Sequence, residues 1–234
     1  DPGSILALPS QCILLVLVQL GGIGIMAATT TLFLLAGHRL RVRDRLFLAG
    51  GLGVDTPQGT VRLLRVVLLF TLSFEAAGSL ILFLSFVFSG VPIATALYQA
   101  IFHAVSAFCN AGFSMYSTNL EAFSTSFVVP GVVMLLIIFG WIGFPVVMEL
   151  WDSARGRVRF FTAYTKIVLY STVFLIAGGA CLIVLTEWNH GFANLPPWAR
   201  LWNGLFGSVT ARTAGFAMVH YAEWSPGGLM VTTW

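Results

Sequence analysis

Side-chain catalysis finds little to work with in this sequence. It holds no HExxH, GxSxG or phosphate-binding glycine loop, and no closely paired carboxylates. Cys12, Cys109 and Cys181 are scattered, odd in number and free of CxxC spacing, which indicates neither a disulfide framework nor a metal site. What does recur is a polar turn bearing glycine: Asn110-Ala111-Gly112-Phe113 and Thr213-Ala214-Gly215-Phe216, each after a short apolar run. The chemistry open to such a turn is that of its main chain. Glycine takes backbone conformations that a Cβ forbids, and carbonyls left out of helix hydrogen bonds can replace the hydration shell of a bare cation. Asn110, Ala111, Gly112, Thr213, Ala214 and Gly215 are therefore the candidate cation ligands, through backbone oxygens. Cys109, Phe113, Arg212, Phe216 and Glu75 are supporting candidates. A lone AGF is also the sequence of a tight turn between helices. The pore reading draws its force from two copies, each after a matched amphiphilic run.

Those turns need elements to hold them. Hydrophobic residues make up 58% of the 234 and charged residues only 9%, with a mean hydropathy of +0.91. Soluble domains carry about 25% charged residues, so most of this surface must face lipid. Four stretches, 11–37, 62–88, 127–151 and 164–186, are long enough to cross about 30 Å of hydrocarbon at 1.5 Å per residue. A fifth starts near Gly227. The runs 97–109 and 201–210 are too short to span and read as re-entrant helices. No signal peptide is recognisable after Asp1, and the sequence is expected to be a piece of a longer protein.

The net charge of +3 and pI near 9.0 could suggest nucleic acid, but the placement of the charges argues against it. Arg39, Arg41, Arg43, Arg45, Arg62 and Arg65 flank one connection, and Arg155, Arg157, Arg159 and Lys166 flank the next. Only Arg200 and Arg212 lie elsewhere. The positive-inside rule puts 38–61 and 152–163 in the cytoplasm and brings both short helices in from outside.

The sequence also repeats itself. LYQAIFHAVSAFCNAGF matches LWNGLFGSVTARTAGF: Ser106 aligns with Thr210, Ala107 with Ala211 and Gly112 with Gly215, with one extra residue in the first copy before its AGF. GGIGI from Gly21 resembles GWIGF from Gly140. The expected fold is all-α integral membrane, in parallel repeats of span, pore helix, filter loop and span around a pore axis. About two of four units are present: 1–60 closes a first, 61–163 is a complete second, and 164–234 is part of a third.

On SAFCNAGF, SVTARTAGF and VQLGGIGIM the chain resembles the Trk/Ktr/HKT superfamily of potassium transporters, in particular the Ktr/Trk-type membrane subunit, over essentially its whole length. The resemblance implies four units around one pore, each giving one filter strand, with K⁺ as the transported ion and Na⁺ open because the first strand is missing. It implies channel-like passage down the electrochemical gradient, about 2.3 kcal/mol per charge per 100 mV, at the cell membrane. It further implies a homodimer docked on a cytosolic nucleotide-binding regulatory subunit. No cofactor is expected in the chain and no enzymatic activity.

Several residues carry their own expectations. Glu75, mid-span, costs about 3 kcal/mol if charged in lipid, so it should face protein or water as a hydrogen-bonding group or an ion relay. Arg212 should point away from a cation path, and His103 should be packed and satisfied. Gly21, Gly22, Gly24, Gly140 and Gly143 suit close helix approach, and Pro145 suits a kink. The competing readings are a carrier with re-entrant hairpins and an intramembrane hydrolase using His103 or Cys109.

Overall fold

The structure, a computed structural model, describes residue 3 and residues 7–36, 57–156, 160–212 and 214–233. Thr213 and the arginines Arg39, Arg41, Arg43, Arg45, Arg157 and Arg159 lie outside the described residues. The described residues form helices and no strand: α1 (Leu8–Ala36), α2 (Pro57–Phe88), α3 (Ile93–Phe108), α4 (Val128–Ile142), α5 (Phe144–Ala154), α6 (Ala163–Glu187), α7 (Pro197–Thr210) and α8 (Pro226–Thr233). In hydrocarbon a helix satisfies every backbone polar group within itself, which is why apolar sequence of this length takes that form.

Arg65–Phe88 and Ala163–Glu187 are each long and apolar enough to cross a membrane. On α6 the side chains of Tyr170, Phe174 and Leu185 are 74, 76 and 71% exposed. In water such a face would aggregate; against lipid tails it is ordinary.

One expected span is different. Residues 127–151 are not a single crossing helix but α4 and α5, bent by 104°. The break is Gly143, at φ 87° and ψ 151°, a conformation open to glycine and strained for any residue with a Cβ. Pro145 does not kink a continuous helix. It sits in the first turn of α5, where its missing N–H costs nothing. Glu149 then clasps α5 to the start of α6: it accepts from Thr162 N at 2.6 Å and Thr162 Oγ1 at 2.9 Å, and also from the Thr165 hydroxyl. Thr162 in turn caps α6 through Thr165 N.

The two short helices are seated by small residues. Ala96, Ala100, Ala104 and Ala107 form a fully buried stripe on α3, which packs chiefly against α2 and α4. On α7, Gly204 lies against Val184 and Gly207 against Ile183, which docks α7 on α6. Both helices begin after proline, at Pro92 and at Pro196-Pro197, and both grow more buried toward their C-terminal ends.

Candidate functional site

The C-terminal ends of α3 and α7 lead into the two glycine turns. At the end of α3, Ala111 N bonds to Ser106 O at 2.8 Å and Asn110 N to Ala107 O at 3.1 Å. This six-to-one and five-to-two pair is a Schellman cap, with Asn110 as the left-handed residue at φ 54°. At the end of α7 the closure is one residue tighter: Ala214 N bonds to Thr210 O at 3.0 Å. The extra residue of the first copy is thus absorbed in the cap, and Ala111 and Ala214 bond back to equivalent carbonyls.

Beyond the caps the copies coincide. Gly112 and Gly215 both have positive φ, 69° and 77°. The next carbonyl in each turns back to its own helix, where Ser106 Oγ donates to Phe113 O at 2.8 Å and Thr210 Oγ1 to Phe216 O at 2.9 Å. Among the described residues no hydrogen bond reaches the carbonyls of Asn110, Ala111, Gly112, Ala214 or Gly215. Both helices also direct the negative ends of their dipoles toward this region.

The two turns touch. A Cβ on Gly112 would run into the Ala214 carbonyl, and one on Gly215 would stand 3.7 Å from Gly112 Cα. Just beyond, Leu120 N donates to Ala217 O at 2.9 Å and links the segments that follow the two turns. The copies differ in exposure: Phe113 is 38% exposed, whereas Phe216 is fully buried.

Behind the turns lie the supporting residues. Cys109 faces α1, where Gly22 leaves no room for a Cβ, and its thiol stands 3.8 Å from Glu75 Oε1. Gln19 donates to Glu75 Oε2 at 3.0 Å. Gly140 of α4 lies so close behind α3 that a Cβ would meet the Phe108 carbonyl. Of the other glycines singled out, a Cβ on Gly21 or Gly24 would meet no described neighbour within 4 Å, and Gly143 serves the bend instead. Arg212 Nη2 donates to Thr172 O at 2.9 Å and its guanidinium lies 4.9 Å from the centre of the Trp141 ring, so the charge is held behind the turn. His103 is buried: Nδ1 bonds to Gln99 O at 2.7 Å, while Nε2 accepts from Met115 N at 3.3 Å and lies 3.1 Å from Ser114 Oγ. Gln19 and the hydroxyls of Ser106 and Thr210 are contributors that the sequence reading gave no role. The hydroxyls were findable as one residue type at matched positions of the repeat.

The family of cation transport proteins named TrkH matches residues 4–233. The chain belongs to the TrkH family. Within it, similar relatives include the Ktr system potassium uptake protein B of Bacillus subtilis, 30% identical over 99% of this chain and 52% of that protein. The potassium/sodium uptake protein NtpJ of Enterococcus hirae is 33% identical over 95% of this chain and 49% of its own length. The chain thus spans about half the length of these TrkH-family relatives. In fold it resembles the crystal structure of the potassium transporter TrkH from Vibrio parahaemolyticus, with TM-score 0.61 and 17% identity, covering 92% of this chain and 40% of that one. It is an all-helical Trk/Ktr-type membrane subunit.

Proposed function

We propose that the chain supplies two strands of a K⁺-selective filter in a potassium uptake protein. The backbone oxygens of residues 110–112 and 213–215 are its ligands. The observation that carries this reading is the juxtaposition of Gly112 and Gly215, both at positive φ, with unbonded carbonyls on the turns they occupy. A dehydrated monovalent cation requires such oxygens at membrane depth, and there they persist only where protein or water covers them.

In this reading 61–163 is one complete unit and 164–234 part of the next, arranged with further units around one axis. The turns face outside, and 38–61 and 152–163 face the cytoplasm. The ion passes inward as through a channel, down its electrochemical gradient. The uptake protein pairs as a homodimer and is gated by a cytosolic nucleotide-binding subunit, for which the basic connections offer docking faces. Names of relatives support both K⁺ and, for the Enterococcus protein, Na⁺ as cargo.

The test is Gly112→Ser in the full-length protein, read as the K⁺ over Na⁺ permeability ratio from reversal potentials. The added Cβ meets the Ala214 carbonyl, so the ratio should fall about tenfold or more, since a displacement on the order of 1 Å can cost far more than that at a preorganised site. Unchanged discrimination, with normal amounts of protein in the membrane, would remove the filter assignment.

A further inference from the structure

Glu75 is a carboxyl in the middle of α2, only 5% exposed. Its two partners come from two other elements. Gln19 of α1 donates to one oxygen at 3.0 Å. The Cys109 thiol, at the cap of α3, stands 3.8 Å from the other oxygen and 3.9 Å from Gln19 Oε1. Cys109 immediately precedes Asn110, the left-handed residue from which the first glycine turn departs. Gly22 of α1 makes room for the thiol, which occupies the space a Cβ would take there.

Packing leaves one side of this buried carboxyl loose. Glu75 and Gln19 border a cavity of about 570 Å³ whose other walls include Leu15, Leu72 and Phe83. Its hydrogen bonds to Gln19 and Cys109 therefore help to set the position of the carboxyl. A thiol is a weak donor, and it is oriented best by an ionised or at least strongly accepting oxygen.

At the second turn, too, the side chain just before it donates to an oxygen of another helix. This side chain, Arg212, is tethered from behind by donating to Thr172 O and lying over Trp141. The side chain at the threshold of each turn is thus anchored on a neighbouring helix, through a cation in one and through a thiol on a carboxyl in the other.

We propose that Glu75 is a positioning residue for ion selection: through Cys109 it fixes the direction of the 110–112 carbonyls, as a hydrogen-bond acceptor. It is not a carrier of protons. This rests on the filter reading above.

The experiment measures K⁺ over Na⁺ permeability of the full-length protein for Glu75→Gln, Glu75→Leu, Cys109→Ala and Gly112→Ser. Glu75→Gln keeps an accepting oxygen and should stay within about twofold of the parent. Glu75→Leu fits the adjoining cavity without overpacking and should lower the ratio by about fivefold or more, as a site loosened by a fraction of an ångström does. Cys109→Ala, which puts no new group in the membrane, should reproduce the Glu75→Leu value, and the double variant should be no worse than either single. The proposal is overturned if Glu75→Leu and Cys109→Ala leave the ratio unchanged while Gly112→Ser lowers it; the filter reading then stands without it. It is also overturned if Glu75→Gln falls as far as Glu75→Leu, which would make the charge or the proton the working element. If Gly112→Ser itself changes nothing, the filter reading fails and takes this proposal with it.

Discussion

Two hydroxyls carry the local geometry of the turns. Ser106 and Thr210 each reach past the glycine to bind the carbonyl that follows it, at 2.8 and 2.9 Å. That bond takes one carbonyl out of play and fixes the sense in which the glycine must rotate. Thr210 is buried, as is Phe216, so Thr210→Val would leave the Phe216 carbonyl unpaired with almost no change of shape. We expect a loss of about 1–3 kcal/mol, seen as a lower midpoint of thermal unfolding of the full-length protein in detergent. Thr210→Ser should restore most of it. Asn110 offers a second check. At φ 54°, Asn110→Gly should be tolerated, while Asn110→Val should cost about 1–2 kcal/mol. Equal midpoints for Asn110→Gly and Asn110→Val would contradict the left-handed cap. The hydroxyl pair could be read in advance because the repeat puts the same chemistry at the same place. The Gln19–Glu75–Cys109 cluster could not, because its members lie on three segments whose apolar patterns say nothing about which of their faces meet.

At the scale of elements, length and hydropathy go far. The helices begin and end within a few residues of the expected 11–37, 62–88 and 164–186, because an unbroken apolar run has no other way to satisfy its backbone in lipid. The short helices start earlier than the apolar runs suggest, at Ile93 and Pro197, where proline opens each. The 104° bend between α4 and α5 was hidden for a physical reason. Proline has one allowed φ and so announces itself, whereas glycine is permitted both signs, and its sequence does not say which is used. The left-handed turn of the bend therefore belongs to Gly143, and Pro145 opens the helix that follows. Gly143→Ala should destabilise the protein by about 1–3 kcal/mol through backbone strain. Pro145→Ala should be nearly neutral. Hydrogen exchange across 138–150 distinguishes the cases: protection lost in Gly143→Ala and kept in Pro145→Ala supports the assignment, and the reverse order sinks it.

Over the whole molecule, the question is what keeps two separately built turns in register. Their touching backbones are small, and neither bears a side chain that could lock the other. Besides the Leu120–Ala217 bond, α7 is tied farther out to the segment ahead of α4. Trp202 Nε1 donates to Ser126 O at 3.1 Å, Asn203 Nδ2 donates to Ser124 O at 2.8 Å, and Trp198 stacks on Phe127 with ring centres 4.7 Å apart. These contacts join the stretch ahead of α4 in one unit to the short helix of the next. They do so within a protein that cannot rely on the hydrophobic effect between lipid-facing helices. Trp202→Phe removes one hydrogen bond and should cost about 1 kcal/mol, whereas Trp202→Ala removes the ring as well and should cost about 3 kcal/mol. If register is what these contacts supply, Trp202→Ala should also reduce K⁺ over Na⁺ discrimination, although Trp202 touches neither turn. An equally destabilising substitution on the lipid side of α6 should leave discrimination intact. Parallel loss of discrimination in both would mean that general stability, rather than the alignment of the two strands, governs ion choice.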